Sequence, residues 1–191
     1  MPSADPSNIS EIIKIVYEIK PDSILDVGVG TGKYGHLFRD YLDGHWAGHA
    51  FHDPNTWTLN LVGIEVHEPY LTPVHDYIYT AIWKGDAFDI LTKVGRQNCF
   101  DLVFLGDVLE HFDKEQGKQL IRAIRDNWLT AHGHILISTP NFKTMINDEC
   151  RIIFGNVHEM HKCRWYAPEF RDFKMKMKVT EAKLLTVLLS L

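Results

Sequence analysis

Residues 23–32 read Ser-Ile-Leu-Asp-Val-Gly-Val-Gly-Thr-Gly. A short apolar run carries an acid, Asp26, and leads into glycines at alternate positions, Gly28, Gly30 and Gly32. A helical pattern follows over residues 33–42. No other feature restricts the fold so strongly. A strand that turns through glycines into a helix start makes a nucleotide cradle. Glycine lets the backbone come close to a ligand, and the first N–H groups of a helix have no partner within it. The acid narrows the ligand further. A carboxylate aimed at the turn repels a pyrophosphate and suits a ligand with a cationic amino group.

The rest of the chain alternates strands with helices. Ile9, Ile12, Ile13, Val16 and Ile19 recur at helical spacing behind Ser7, Asn8 and Ser10, any of which can cap, and Pro21 ends that helix. Strand one spans residues 23–29 and the next helix residues 31–42. Residues 59–66 form a near-continuous apolar run holding Glu65, which reads as strand two. Residues 69–80 read as a helix, and residues 81–85 as a short third strand leading into Asp86. Phe100 to Gly106 (FDLVFLG) reads as strand four, residues 113–129 as an amphipathic helix stopped by Gly133, and residues 134–139 as strand five. Lys174, Lys176 and Lys178 then alternate with Met175, Met177 and Val179, the pattern of a strand with one wet face. Residues 184–191 are apolar, and residues 180–183 are short enough for an antiparallel hairpin. The alternating lysines suit an exposed edge. Strands alternating with helices imply a parallel sheet. The expectation is therefore one α/β domain over residues 1–191. Its sheet is seven-stranded, mostly parallel and Rossmann-like, with helices on both faces and a C-terminal antiparallel hairpin.

Composition excludes some classes. The formal charge of −5 argues against a general nucleic-acid binder. Cys99, Cys150 and Cys163 show no paired spacing, which reads as a reduced, cytoplasmic interior. No segment approaches the roughly 20 apolar residues of a membrane span. Residues 1–8 are polar, lack a signal-peptide core and are expected to be disordered.

Asp26-x-Gly28-x-Gly30-x-Gly32 resembles the first motif of class I S-adenosylmethionine-dependent methyltransferases, and the resemblance extends over residues 23–191. S-adenosylmethionine carries a cationic amino-acid end and no phosphate. The resemblance implies that Asp26 lies under the methionine end and that Gly28, Gly30 and Gly32 pass close to the ligand. It implies that Glu65 accepts from the ribose hydroxyls, that Asp86 accepts from the adenine amino group and that the Ala87 N–H donates to the ring. Asp107 joins this cofactor-binding set. The gap from Gly32 to Glu65 exceeds the usual spacing of about 20 residues. An insertion over residues 43–58, with Trp46, Phe51, Trp57, His45, His49 and His52, accounts for the excess and is expected to form the acceptor pocket or its lid.

Asp107-Val108-Leu109-Glu110-His111-Phe112 follows strand four, where open sheets bind ligands. It resembles the Glu/Asp-x-x-Glu-His motif of the ubiquinone-biosynthesis O-methyltransferases and of the 2′-O-methyltransferases of small-RNA 3′ ends. In those groups the motif can hold a divalent metal. In metal-free relatives the His instead caps the motif and touches the cofactor. Thr139-Pro140-Asn141 also resembles the family. The segment from Glu159 to Phe170, with His161 and Trp165, resembles the substrate-side loop of the small-RNA group, where the matching His completes the metal site. Cys150, His158, His161 and Cys163 fit no standard zinc spacing.

The expected function is methyl transfer from S-adenosylmethionine to a hydroxyl of a small molecule, with His111, His161 and Glu110 catalytic. The expected geometry sets His111 and His161 facing each other across the methyl group. Candidate metal ligands are Asp107, Glu110, His111 and His161. RNA 2′-O-methylation and non-catalytic cofactor binding are the other readings. A nicotinamide oxidoreductase lacks its Tyr-x-x-x-Lys pair.

Overall fold

The computed structural model describes residues 6–44, 53–93, 99–141, 156–181 and 184–190. Seven strands form one sheet: β1 (Ser23–Val27), β2 (Asn60–Glu65), β3 (Ala81–Lys84), β4 (Phe100–Gly106), β5 (Leu129–Pro140), β6 (Met175–Glu181) and β7 (Leu184–Ser190). Their order is β3-β2-β1-β4-β5-β7-β6. The first five run parallel, and β7 pairs antiparallel with both β5 and β6. The chain moves outward from β1 to β3 and then restarts beside β1 with β4. That reversal opens a crevice at the C-terminal ends of β1 and β4.

Both faces of the sheet are covered, which explains the near-continuous apolar strands. On one face α1 (Ile9–Ile19), α2 (Lys33–Leu42) and α3 (Pro73–Ile78) bury Ile12, Val16, Phe38 and Ile78 against Ile24, Leu61, Leu102, Phe104, Leu136 and Leu188. On the other, α4 (Ala87–Lys93) and α5 (Lys114–Asn127) bury Leu91, Leu120, Ile121 and Ile124 against Leu25, Val103, Leu105, Ile135 and Ile137. Residues 102–105 of β4 thus alternate between the two cores. Each such side chain contributes about 1.5–3 kcal/mol on burial.

The boundaries shift where backbone geometry demands it. β1 stops at Val27 because Gly28 turns with φ 73°, and Gly30 and Gly32 stay left-handed, at φ 54° and 81°, before α2 starts at Lys33. The helix expected over residues 69–80 is a 3-10 turn, Glu68–Tyr70, followed by α3. Pro73 drives Thr72 into an extended conformation and separates them. Gly133 does not end the helix, since α5 stops at Asn127 and β5 already begins at Leu129, opposite Phe100. The sequence pattern left α4 unread. Its N-terminal turn is closed by the Asp86 carboxylate, which accepts from Phe88 N and Asp89 N.

Two expectations meet the described structure only in part. Residues 6–8 are ordered: Pro6–Asn8 is a 3-10 turn, and Asn8 is buried with Nδ2 donating to Ser138 Oγ at 2.7 Å and Thr186 Oγ1 at 3.2 Å. Residues 1–5 lie outside the described residues. The second concerns residues 43–58. The buried Arg39 guanidinium donates to Asp43 Oδ2 and Leu59 O, both at 2.6 Å, and to Ile78 O at 2.8 Å. Asp43 Oδ1 in turn accepts from Thr58 N at 2.7 Å and Leu59 N at 3.1 Å. The Arg39 guanidinium also lies 4.7 Å from the Trp57 ring. Both ends of the segment are thus tied together at the N-terminal end of β2, opposite the crevice, and none of its described residues lines the cavity described below. Residues 45–52, including Trp46, Phe51, His45, His49 and His52, lie outside the described residues.

At the sheet edge, Lys174 and Lys176 are exposed and Met175 is half-buried. Among the described residues no helix is long and apolar enough to cross a membrane.

Candidate active site

A cavity of about 660 Å³ opens at the C-terminal ends of β1, β2 and β4, within the roughly 300–1,000 Å³ range of ligand sites. One wall is the glycine turn. A Cβ on Gly28 would come 2.9 Å from Val108 Cγ2, so glycine is needed there for both its φ and its size. Gly30 is clamped from two sides. Its N–H donates to Glu65 Oε2 at 2.9 Å, and its carbonyl accepts from His75 Nε2 at 3.1 Å. Glu65 Oε1 accepts from His67 N at 2.8 Å, so this nearly buried carboxylate organises the turn and the loop after β2 together. Burial pushes the Glu65 carboxyl up, and the two backbone donors pull it back.

Asp26 does not line the cavity. It is 2% exposed, and Tyr79 donates its O–H to Asp26 Oδ2 at 2.6 Å. Burial pushes its carboxyl up to about 7, the Tyr79 hydrogen bond opposes that, and Glu65 adds to it. Gly32 also stands back from the cavity, against the His75 ring. Both support the turn from behind it. Asp86 and Ala87 line the cavity at the start of α4.

The opposite wall follows β4. Asp107 has φ 54°, a left-handed conformation costly for a residue with a Cβ and concentrated at functional sites. Its N–H donates to Ser138 O at 2.8 Å. Glu110 is 1% exposed. Its Oε2 accepts from Thr139 Oγ1 at 3.0 Å, while Oε1 is buried with no hydrogen-bond partner among the described residues. Burial first, then the neighbouring Asp107 charge, pushes the Glu110 carboxyl well above the usual range.

His111 and His161 lie edge to face, with ring centroids 4.9 Å apart. One ligand atom from each of Glu110, His111 and His161 falls within 4.8 Å of the others. Asp107 stands outside that group. His111 Nδ1 is 3.3 Å from Met160 O. A carbonyl only accepts, so that proton sits on Nδ1 and Nε2 keeps its lone pair. Burial lowers the His111 pKa. Burial, and then His111, lowers that of His161 to about 4, against the pull of Glu159. Both shifts favour the neutral imidazole, the form that binds a metal.

His161 is held by main chain and by Trp165. Lys162 N and Cys163 N donate to Glu110 O at 2.7 and 3.2 Å. Trp165 is fully buried, and its Nε1 donates to Leu109 O at 3.0 Å. Its indole lies on Gly117 of α5, where a Cβ would overlap it. Lys114 covers the same ring at 4.2 Å and pairs with Glu169 at 2.6 Å.

The sequence pattern missed His75, Tyr79, Tyr70 and the partner role of Glu159. His75 and Tyr79 are four apart and their rings stack, a helical spacing that was available to read. The pairing of Tyr70 with Glu159 has no local signal. The Cys163 thiol donates to Phe112 O at 3.1 Å, and Cys150 lies outside the described residues.

No family model matches the chain, and no curated protein matches it. Solved structures do. An O-methyltransferase family protein from Burkholderia thailandensis is 14% identical with a TM-score of 0.63, over 95% of this chain and 55% of that one. This chain thus spans about half the length of that protein. A SAM-dependent methyltransferase from Archaeoglobus fulgidus is 12% identical with a TM-score of 0.60, over 95% of this chain and 94% of that one. The methyltransferase domain of a bacterial CtHen1 is 14% identical with a TM-score of 0.58, over 95% and 96%. The strand order, the antiparallel β7 and these likenesses agree: the chain has the fold of the class I S-adenosylmethionine-dependent methyltransferases.

Proposed function

We propose that the chain is an enzyme that transfers the methyl group of S-adenosylmethionine to a hydroxyl oxygen. The convergence of Glu110, His111 and His161 on a cavity whose other wall is a glycine turn carries this reading. The residues fit the cofactor. Gly28 and Gly30 leave room for close approach, and Glu65 presents a pre-organised carboxylate to ribose hydroxyls. Asp86 and Ala87 offer an acceptor and a backbone donor to adenine. When bound, the cofactor supplies a methyl on a cationic sulfur. Transfer would leave the C–S electron pair on sulfur, and the hydroxyl proton would pass to a neighbouring imidazole, His111 or His161, or to solvent. Much of the catalysis is then positioning.

A divalent ion also fits. The site offers two imidazoles and a carboxyl oxygen that is buried without a partner among the described residues. When bound, the ion lowers the pKa of a hydroxyl. Thr139 aims Glu110, and Met160 O fixes the His111 tautomer. The low pKa of His161 favours ligation over base catalysis. A base with a pKa of about 4 holds a proton poorly at neutral pH.

The acceptor we infer is a small-molecule hydroxyl, in keeping with the chain's net negative charge. One observation favours a second reading, the ribose 2′-hydroxyl of RNA. His161 meets the Glu110–His111 turn as the resemblance to the small-RNA group implies. Calorimetry with S-adenosylhomocysteine and NAD tests the cofactor, and tight NAD binding without a response to S-adenosylhomocysteine would end the proposal. Radiolabelled S-adenosylmethionine offered with small hydroxyl compounds and short RNAs, with and without chelator, separates the acceptors. Activity that survives chelation would remove the metal.

A further inference from the structure

Tyr70 and Glu159 meet across the cavity. They are 89 residues apart, both line it, and the phenol O–H donates to Glu159 Oε1 at 3.0 Å. Each is braced from its own side. Tyr70 is 5% exposed, and its ring packs on His67 at 4.5 Å between centroids. The His67 N–H is held by Glu65 Oε1, so Tyr70 hangs from the loop that the nucleoside-side acid organises. Glu159 Oε1 also accepts from Asn156 Nδ2 at 3.3 Å. Asn156 is itself buried and caps the Val157–Glu159 turn through His158 N. Two residues beyond Glu159 stands His161. The main chain on either side of His161 is pinned to the other wall, through Met160 O before it and Lys162 N and Cys163 N after it.

The two halves of the cavity are therefore bridged by a hydrogen bond between a phenol and a carboxylate. We propose that this link couples the halves: a nucleoside held at Glu65 stiffens the 65–70 turn, and through Tyr70–Glu159 sets the segment that presents His161 to Glu110 and His111. Tyr70 and Glu159 are then positioning residues. The inference rests on the methyltransferase reading above. Reciprocity follows, because whatever tightens one half must tighten the other by the same factor.

The test uses the full chain, with S-adenosylhomocysteine as nucleoside probe and Mn²⁺ as metal probe. Calorimetry gives the nucleoside affinity with and without saturating Mn²⁺. Electron paramagnetic resonance gives the Mn²⁺ affinity with and without the nucleoside. Each probe should tighten the other at least about fivefold in the wild type. Tyr70→Phe keeps the ring on His67 and removes only the O–H. It should bring that factor to one, with each probe alone binding within about twofold of wild type. A merely structural tyrosine would instead weaken both affinities or the fold. Glu159→Gln keeps an acceptor for the phenol and should preserve the coupling. The inference is overturned if Tyr70→Phe retains the full factor or if Glu159→Gln abolishes it. It also falls if the wild type binds both probes independently, or binds the nucleoside without binding Mn²⁺. A wild type that does not bind S-adenosylhomocysteine refutes the parent reading and the link with it.

Discussion

Asp26→Asn offers a test of the electrostatics beneath the glycine turn. The Asp26 carboxyl is 2% exposed and is raised from 3.8 to about 7, chiefly by burial. At about 1.36 kcal/mol per pH unit, that rise sets a ceiling of about 4 kcal/mol on the cost of ionising it in the fold. The folded state holds this proton more tightly than the unfolded chain does. Stability from this group is therefore gained as pH falls through about 7 toward 3.8, and it is lost as pH rises back through the folded value. Asparagine removes the titration and still offers Tyr79 an acceptor. Urea denaturation followed by tryptophan fluorescence should show the variant more stable than wild type at pH 8. That advantage should shrink by about 2–3 kcal/mol at pH 5. A difference of the same size at both pH values would refute the raised carboxyl.

Three further outcomes are expected. Gly117→Ala gains about 1 kcal/mol in helix propensity and costs about 1–3 kcal/mol by overpacking Trp165. It should lower urea stability and weaken Mn²⁺ binding through the displaced His161 segment, and a more stable variant with wild-type Mn²⁺ affinity would contradict this. Glu65→Ala should weaken S-adenosylhomocysteine binding by about 1–3 kcal/mol in calorimetry, the scale of hydrogen bonds to a charged group. Arg39→Met leaves Asp43 buried without its cation and should cost about 3–5 kcal/mol in urea. The folded fraction should bind S-adenosylhomocysteine as wild type does, because that clamp lies at the opposite end of the sheet.

The sheet was legible because its signals are local. The glycine turn, the apolar run of β4 and the alternating lysines each declare a strand within ten residues. The Asp107 to His111 stretch and His161 could be named separately, and a resemblance suggested that they meet. Other features were not legible. Residues 69–80 have helical composition, but Pro73 overrides it. Residues 43–58 carry aromatic side chains that are costly to expose, but the anchor of their ends is Arg39, a residue whose sequence context gives no sign of burial. Asn8 resembled part of a loose polar terminus, and its partners lie 130 and 178 residues away. Such contacts join positions that no periodicity connects.

Glu110 carries two jobs on different atoms. Its carbonyl oxygen receives Lys162 N and Cys163 N, which fastens the His161 segment, while its carboxylate faces the imidazoles. Every amino acid supplies that carbonyl, but few supply the carboxylate. A change at this position can therefore remove the carboxyl group while the main-chain fastening around it stays in place. Under the proposed function, catalysis is separable from architecture here, and a lineage could shed the reaction at this residue yet keep the fold.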